Sequence, residues 1–236
     1  MNIQFLSSRL QTVVKHIPEG YTIADIGSDH AYLPCHAVQK GIVPFAIAGE
    51  VVEGPYQSAV RQVESAGLVD KISVRKGNGL EVIEPGEIDC ITIAGMGGTL
   101  IANILDRGVN KLTGVKRLIL QPNVGSVATR KWLFDHRWQL IGEEILEEDG
   151  KIYEILVAEK GDPLTAYSDD LESGFLLGPY LSKEKNEAFV QKWLGEKTNW
   201  FRIIEQLDQA EQTEQNLIKK QELLGKVKLI EEVLQR

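Results

Sequence analysis

Carboxylates and a glycine follow the first apolar run of this sequence, in the stretch ADIGSDHAYLP. Gly27 stands where a dinucleotide-binding turn would begin, but Asp29 occupies the place of that turn's second glycine. A pyrophosphate requires bare backbone at this place, whereas carboxylates such as Asp25 and Asp29 attract a cation. The pattern therefore favours a ligand that lacks phosphates and carries a positive charge. Alternatively, Asp29 caps the helix that follows and His30 is an ordinary surface residue.

S-adenosylmethionine is a ligand of that kind, with a sulfonium cation, an amino group and a carboxylate. Glu50 ends the next apolar run, at the spacing from Gly27 where related folds bind ribose hydroxyls with a carboxylate. Asn78, followed by Gly79 in KGNGL, is placed to hold the adenine amino group through its side-chain amide. A charged strand end at Glu50 and a plain Asn-Gly turn at Asn78 are the alternative interpretations.

Glycines and amides follow two later apolar runs. The sequence IAGMGG, with Gly95, Met96 and Gly97, lets a ligand approach the backbone closely. Gln121 and Asn123, in LILQPN, carry amide groups suited to face a substrate base. The alternative for QPN is a surface turn.

Strands that alternate with helices must position these groups, which predicts a parallel sheet. The runs TIADIG and DCITIAG are nearly all apolar, as expected for strands buried on both faces. The last two runs are joined by EEDGK, whose Asp-Gly pair is typical of a hairpin turn. This pattern predicts an α/β, class I (Rossmann-like) methyltransferase fold with a seven-stranded, mostly parallel sheet. The predicted strands are 21–27, 45–52, 72–76, 88–94, 117–121, 139–145 and 152–158, and the first helix is predicted at 7–16.

Ligands of an open parallel sheet bind at the carboxyl ends of its strands. The polar and glycine positions described above all fall at such ends. Their agreement across five strands is stronger than any single motif. The five positions are Asp25, Glu50, Asn78, Gly95 and Gln121.

The composition changes after the Gly161-Asp162-Pro163 turn, and residues 183–236 contain no proline. Apolar residues there recur at helical spacing in two stripes, which predicts two long helices packed as an antiparallel hairpin with a break near 212–215. The first stripe is Phe189, Trp193, Trp200, Ile203, Leu207 and Ala210, and the second is Leu217, Leu224, Val227, Ile230 and Leu234. Residues 164–181 are expected to connect this arm to the sheet. We therefore expect a catalytic domain at 1–162 and a helical, coiled-coil-like domain at 163–236.

The bulk composition of the 236 residues, 43% hydrophobic and 25% charged, is that of an ordinary globular protein. Neither a membrane span nor a signal peptide is expected. Cys35 and Cys90 match no metal spacing, which favours a reduced, cytoplasmic protein without a metal. The net charge of −8 argues against bulk attraction to nucleic acid but leaves room for a local basic patch.

The blocks ADIGSDHAYLP, AGEVVEGPYQSA, RKGNGL, IAGMGG, LILQPN and EEDGKIYEI together closely resemble the bacterial tRNA adenine-N1 methyltransferases of the TrmK type. The resemblance covers the catalytic domain and the helical tail. It implies S-adenosyl-L-methionine as methyl donor, tRNA as acceptor with adenine 22 as the target, and a coiled-coil-like C-terminal domain. Asn78 departs from the family pattern, which often has an aspartate there, but an amide also pairs with adenine.

Adenine N1 is a neutral nucleophile, so the reaction needs positioning more than a strong base. We expect Asp29 to stabilise the cationic product base, and Gln121 and Asn123 to hold the edge of the base. Arg9, in LSSRL, pairs with the methionine carboxylate or a tRNA phosphate, or is an ordinary solvated arginine. The cofactor-binding residues implied in all are Arg9, Asp25, Gly27, Asp29, His30, Glu50, Val51, Asn78, Gly79, Ala94, Gly95, Met96 and Gly97.

Basic residues are candidates for a positive rim around the cleft and for phosphate contacts on the arm. The arm contains more acids than bases, so much of it is also consistent with a solvated face. We expect a monomer that binds no membrane. The basic candidates are Lys111, Lys116, Arg117, Arg130, Lys131 and Arg137 at the rim, and Lys183, Lys185, Lys192, Lys197 and Arg202 on the arm.

Other functions remain open at this point. A nicotinamide-dependent oxidoreductase is disfavoured by the missing glycines. A methyltransferase that acts on a small molecule or on another RNA is compatible with the acidic net charge. A binding protein that works through its helical arm would bind no cofactor at all.

Overall fold

The computed structural model describes residues 2–167, 170–211 and 213–235, and it contains one seven-stranded sheet. The strand order is β3-β2-β1-β4-β5-β7-β6. Only the pairs β5·β7 and β6·β7 are antiparallel. The strands are β1 (Ile23–Ile26), β2 (Ala46–Glu50), β3 (Ile72–Lys76), β4 (Cys90–Gly97), β5 (Arg117–Val124), β6 (Trp138–Glu148) and β7 (Lys151–Lys160).

Helices connect the parallel strands and continue beyond the sheet. They are α1 (Ser8–Lys15), α2 (Tyr32–Gln39), α3 (Glu53–Ser65), α4 (Gly98–Arg107), α5 (Ser126–Asp135), α6 (Leu171–Leu177), α7 (Leu181–Glu184), α8 (Glu187–Gln209) and α9 (Glu214–Gln235). In the described part of the chain, no helix has the length and apolar character needed to cross a membrane.

The seven predicted strands and the mostly parallel sheet with a terminal hairpin are confirmed. The main differences lie at strand ends: β4 extends through Gly97 and β5 through Val124. The pairing of these two strands is irregular between Ala94 and Gly97. Such irregularity leaves the backbone near a strand end free to turn away from its neighbour.

Two apolar clusters cover the two faces of the sheet, because successive side chains of a strand point to opposite faces. Ala24 and Ile26 belong to one cluster, which α4 and α5 cover. Ile23 belongs to the other, which α1, α2 and α3 cover. All four residues of β1 are therefore buried, and only its carboxyl end can present polar groups to a ligand.

The arm is an antiparallel pair of helices, as predicted. Ion pairs join Lys197 of α8 to Glu231 of α9 and Lys220 of α9 to Asp208 of α8, which fixes the opposite directions of the two helices. The predicted break at 212–215 lies slightly too late, because α8 ends at Gln209 and α9 begins at Glu214; Gln212 itself lies outside the described residues.

The predicted apolar stripe of α9 is wrong at two positions. Leu217 and Leu224 are 48% and 39% exposed, whereas Leu223, Val227 and Ile230 are buried. The buried positions lie four and three residues apart. One residue changes the facing direction by about 100°, so Leu223 rather than Leu224 points toward the partner helix.

A buried ionic cluster joins the arm to the sheet. Arg130 of α5 donates hydrogen bonds to Glu143 of β6 and to Glu154 of β7, each at 2.7 Å, and all three side chains are at most 2% exposed. Lys192 of α8 forms an ion pair with Glu154. The backbone N–H of Tyr180 donates to Glu143 at 3.0 Å. Burial raises the pKa of a carboxyl group, but the nearby Arg130 and Lys192 lower that of Glu154 to about 2.

The described part of the segment 164–181 includes regular structure that contacts the sheet domain. It contains α6, and the Arg130 guanidinium donates to the carbonyl oxygen of Phe175 in that helix at 3.2 Å. Residues 168 and 169 lie outside the described part of the chain.

We expect Arg130→Met to lower the free energy of unfolding by about 3–5 kcal/mol, because two buried carboxylates lose their main cation. Chemical denaturation followed by circular dichroism measures this change.

Lys15→Met is the matched control, because it breaks an exposed pair with Glu144 in which Lys15 is 66% exposed. Exposed pairs contribute little to stability, so the control should unfold close to the wild type. Equal stability of Arg130→Met and wild type would show that the cluster does not hold the arm.

Candidate active site

A cleft of two compartments lies at the carboxyl edge of the sheet, where the sequence predicts the ligand. The large compartment, about 400 Å³, is lined by Val51, Asn78, Gly79 and Ile104 among others. The small compartment, about 260 Å³, is lined by residues that include Arg9, Asp25, Asp29, Ala94 and Gly95. The walls of both compartments include Gly27 and Met96, which form the neck between them.

Asp25 is a buried carboxylate at the end of β1, with 5% of its surface exposed. Its oxygens accept hydrogen bonds from Ser28 Oγ at 2.6 Å and from Thr92 Oγ1 at 2.7 Å. Burial raises the pKa of Asp25, and the two hydroxyl donors and the charge of Arg9 offset only part of this increase. The carboxylate is therefore fixed in orientation and gains from a cation placed beside it.

The turn after β1 places Asp29 at the surface of the cleft. Gly27 adopts φ +71, and Asp29 and Ala31 adopt φ +55 and +54. The backbone N–H of Asp29 donates to the Glu50 carboxylate, while the Asp29 side chain is 69% exposed. Helix α2 begins at Tyr32 after Ala31, so the alternative that Asp29 caps this helix is wrong.

Glu50 stands behind the turn and is 6% exposed. Burial raises its pKa, the hydrogen bond from the Asp29 N–H lowers it, and the charges of Asp29 and Asp25 raise it further. Three carboxylates thus share one small region. A cationic ligand would relieve their mutual repulsion.

An amide cluster is bonded to Gly95, which lines the small compartment. Gln121 Oε1 accepts hydrogen bonds from the Gly95 N–H at 2.9 Å and from the Arg9 guanidinium. Gln121 Nε2 donates to Asn123 Oδ1 at 3.1 Å, and Asn123 Nδ2 donates to the carbonyl oxygen of Gly95 at 2.8 Å. Gln121 is fully buried and Asn123 is exposed, so Gln121 orients the amide that faces outward.

Arg9 of α1 reaches over the sheet to this cluster. Its guanidinium lies 5.3 Å from the ring centre of Tyr153 in β7. Together with Gln121, this contact holds the one cation that lines the small compartment in the described part of the chain.

The structure brings most of the expected site residues together. Asn78 is exposed at the rim, and its backbone N–H donates to Glu81 at 3.0 Å. Five expected residues line neither compartment: His30, Glu50, Gly97, Gln121 and Asn123. Glu50 and Gln121 are buried, and His30 stacks on Tyr32 at 5.3 Å. The residues that line at least one compartment are Arg9, Asp25, Gly27, Asp29, Val51, Asn78, Gly79, Ala94, Gly95 and Met96.

One wall of the large compartment consists of residues that are not among the predicted site residues. Helix α4 contributes Leu100, Asn103, Ile104 and Arg107 to it. Their spacing of three, one and three residues places them on a single face of the helix. This periodicity is the feature of the sequence from which the wall could have been predicted.

The predicted basic rim is wrong at four positions. Arg137 directly precedes β6, which runs in the same direction as β5 and begins at the edge of the sheet opposite the cleft. Arg130 is buried in the ionic cluster. Lys116 and Arg117 lie at the amino end of β5, at the opposite edge of the sheet from the cleft, and pair with Asp89 and Glu159. On the arm, Lys192 and Lys197 are also engaged in ion pairs within the chain.

We expect Asp25→Asn to melt at a higher temperature than the wild type at pH 8. Because the folded-state pKa of Asp25 lies above its ordinary value of 3.8, ionisation of this carboxyl opposes folding. This destabilisation is absent below pH 3.8 and grows as the pH rises through the folded-state pKa. The difference in melting temperature between Asp25→Asn and the wild type should therefore be smaller at pH 4 than at pH 8. Calorimetry at both pH values measures it.

Asp89→Asn is the control of opposite sign, because its hydrogen bonds with Lys116 and Thr22 lower the pKa of Asp89. This variant should melt below the wild type at pH 8, by an amount that falls as the pH decreases through the folded-state pKa. A lower melting temperature for Asp25→Asn at pH 8 would contradict the account of Asp25.

Comparison with known proteins gives the same family throughout the chain. The TrmK family model, described as tRNA (adenine(22)-N(1))-methyltransferase, matches residues 23–232. The tRNA (adenine(22)-N(1))-methyltransferase of Bacillus subtilis (strain 168) is 57% identical over 235 residues, 99% of both chains.

Solved structures agree in both fold and extent. The crystal structure of the B. subtilis M1A22 tRNA methyltransferase TrmK superposes with a TM-score of 0.95 at 56% identity, covering 98% of this chain and 99% of that one. The structure of Streptococcus pneumoniae Sp1610, described as a putative tRNA (m1A22) methyltransferase, in complex with S-adenosyl-L-methionine superposes with a TM-score of 0.86 at 47% identity. This match covers 98% of this chain and 100% of that one. With this family match and the acidic cleft at the carboxyl edge of the sheet, the chain belongs to the TrmK family of tRNA (adenine(22)-N(1))-methyltransferases.

Proposed function

We propose that this protein methylates N1 of adenine 22 in tRNA, with S-adenosyl-L-methionine as the methyl donor. The observation that carries the proposal is the 57% identity to the B. subtilis enzyme over nearly the whole of both chains. The cleft supports it independently, because one compartment is lined both by the acidic turn and by Gly95, to which the amide cluster is bonded.

The residues of the cleft fit this cofactor. Val51, Asn78 and Ile104 line the large compartment, whose size suits an adenosine, with Glu50 buried behind the turn at its edge. The small compartment offers carboxylates to an amino group or sulfonium, and Arg9 to a carboxylate. When bound, S-adenosyl-L-methionine supplies an electrophilic methyl group to the lone pair of adenine N1.

We propose that the chain's own contribution is to orient the base and stabilise charge. Asn123 is exposed beside the small compartment and can hold an edge of the adenine. Gln121 is a positioning residue, because its amide already bonds to Gly95, Arg9 and Asn123. The exposed carboxylate of Asp29 is suited to stabilise the positive charge that the base gains on methylation.

We also propose that residues 1–162 form the catalytic unit and 163–236 a helical unit docked on it. A separate apolar cluster, which includes Leu181, Phe189, Trp193 and Ile230, supports this division. Both cysteines are free and buried, which agrees with a reducing cytoplasmic environment. The monomeric state and the absence of a metal stay predictions from the sequence.

The direct test is methyl transfer from labelled S-adenosyl-L-methionine to an unmodified tRNA transcript. We expect 1-methyladenosine at position 22, detectable as a block to reverse transcription because N1 lies on the pairing edge of the base. A transcript with guanine at position 22 is the control and should stay unmodified. Cofactor binding without tRNA methylation would favour a small molecule or another RNA as acceptor.

We expect Gly27→Ala to weaken binding of S-adenosyl-L-methionine by about tenfold or more. A Cβ atom at Gly27 would overlap Met96 Cε at the neck of the cleft, so Met96 would be displaced into one compartment. Isothermal titration calorimetry measures the affinity.

Gly41→Ala is the matched control. Gly41 has nearly the same φ, +72, but no atom lies within 4 Å of a Cβ placed there. Left-handed backbone costs alanine about 1–2 kcal/mol, so both variants should lose stability. Only Gly27→Ala should lose affinity, and equal affinities would exclude close approach of the cofactor to Gly27.

A further inference from the structure

A second groove, about 660 Å³, lies between the sheet and the helical arm. We call it the interdomain groove. One wall is the carboxyl end of β5 with Asn123 and Val124, a second is β7 with Lys151 and Tyr153, and a third is α8 with Trp200. Its size is that of a site for a small organic ligand such as a nucleotide.

The interdomain groove is continuous with the candidate active site through two residues. Asn123 lines the groove and donates to the carbonyl oxygen of Gly95, which lines the small compartment. Tyr153 also lines the groove, and its ring lies 5.3 Å from the Arg9 guanidinium of the small compartment. If the target base of an RNA enters the cleft beside Asn123, the nucleotide next to it in the chain would therefore lie at this groove.

The arm side of the groove is aromatic. Trp200 is half-buried, and its ring lies 6.4 Å from that of Trp193 at an angle of 61°. Trp193 is buried, and its Nε1 has no hydrogen-bond partner among the residues that the structure describes. The α8 wall of the groove therefore offers a half-buried indole ring that is backed by a second, buried indole ring.

The charges of the groove are nearly balanced. Lys151 is exposed and forms no ion pair with a described residue. Lys226 lies outside the lining of the groove, with its Nζ 5.7 Å from the centre of the Trp200 ring. Lys192 is committed to Glu154, and Glu196 places an acidic group on the wall. Binding here would therefore rely on stacking more than on attraction of phosphates.

We propose that the interdomain groove binds a nucleotide next to the target adenosine, with its base against Trp200. This inference rests on the proposed function. A base reaches a methyltransferase pocket only by leaving its stack, so its neighbour loses a stacking partner at the same time. Aromatic side chains restore that stacking for unpaired bases in RNA-binding proteins, whatever the sequence of the RNA.

The first test fills the groove without disturbing the fold. Gly195 of α8 lines the groove, and no atom lies within 4 Å of a Cβ placed there. Gly195→Leu should keep or raise the melting temperature, because leucine is the better helix former. We expect the KM for tRNA to rise by about fivefold or more, because one base loses its stacking on the protein. The affinity for S-adenosyl-L-methionine should not change.

Gly225→Leu is the matched control, since Gly225 is an exposed glycine of α9 with equal space around it and lies outside the groove. Its KM for tRNA should equal that of the wild type. If Gly195→Leu also has the wild-type KM while the wild type methylates adenine 22, the groove proposal is overturned and the proposed function stands. If the wild type does not methylate tRNA, the function itself fails.

A second pair of variants tests the aromatic wall. Trp200→Ala should raise the KM for tRNA by a similar factor, and Trp200→Phe should restore most of it because a ring remains. Phe201→Ala is the control, an adjacent aromatic residue that is 40% exposed and lies outside the groove. Equal effects of Trp200→Ala and Phe201→Ala, or no recovery in Trp200→Phe with a folded arm, would contradict stacking on Trp200.

Discussion

Burial of the central strands on both faces is the constraint on which the site depends. Side chains of β1 and β4 must be apolar as long as helices cover both faces of the sheet, so polar groups can appear only where these strands end. Asp25 and Thr92 are the exceptions: both are buried, and Asp25 accepts hydrogen bonds from Thr92 and Ser28. The chemistry of the protein is therefore confined to one edge of the sheet.

That edge combines opposed charges in a small volume. Asp25, Asp29 and Glu50 lie close together, and Arg9 lines the same compartment as the two aspartates, held by Gln121 and Tyr153. The carboxylates favour a cationic ligand and the arginine favours an anionic one. A zwitterionic cofactor satisfies both sides, which explains why the turn after β1 lacks the glycines of a pyrophosphate site.

The arm depends on a different interaction. Arg130, Glu143, Glu154 and Lys192 form a buried cluster with two positive and two negative charges, and Lys192 is its only member from α8. Glu154 adjoins Tyr153 in β7, so the residue that receives the arm lies next to the one that contacts Arg9. The same docking creates the interdomain groove, because its walls come from both sides of this junction.

The sequence by itself determined the strands, their mostly parallel directions, and the cluster of polar residues at the carboxyl edge of the sheet. Each of these follows from local patterns: an apolar run, the residue that ends it, and a hairpin turn. Only the tertiary structure decided that Leu223 rather than Leu224 faces α8, that Arg130 is buried rather than on a basic rim, and that α4 forms a wall of the cleft. These outcomes depend on contacts between residues that are far apart in the chain. The local sequence around an arginine does not show whether water or two carboxylates surround its side chain in the folded protein.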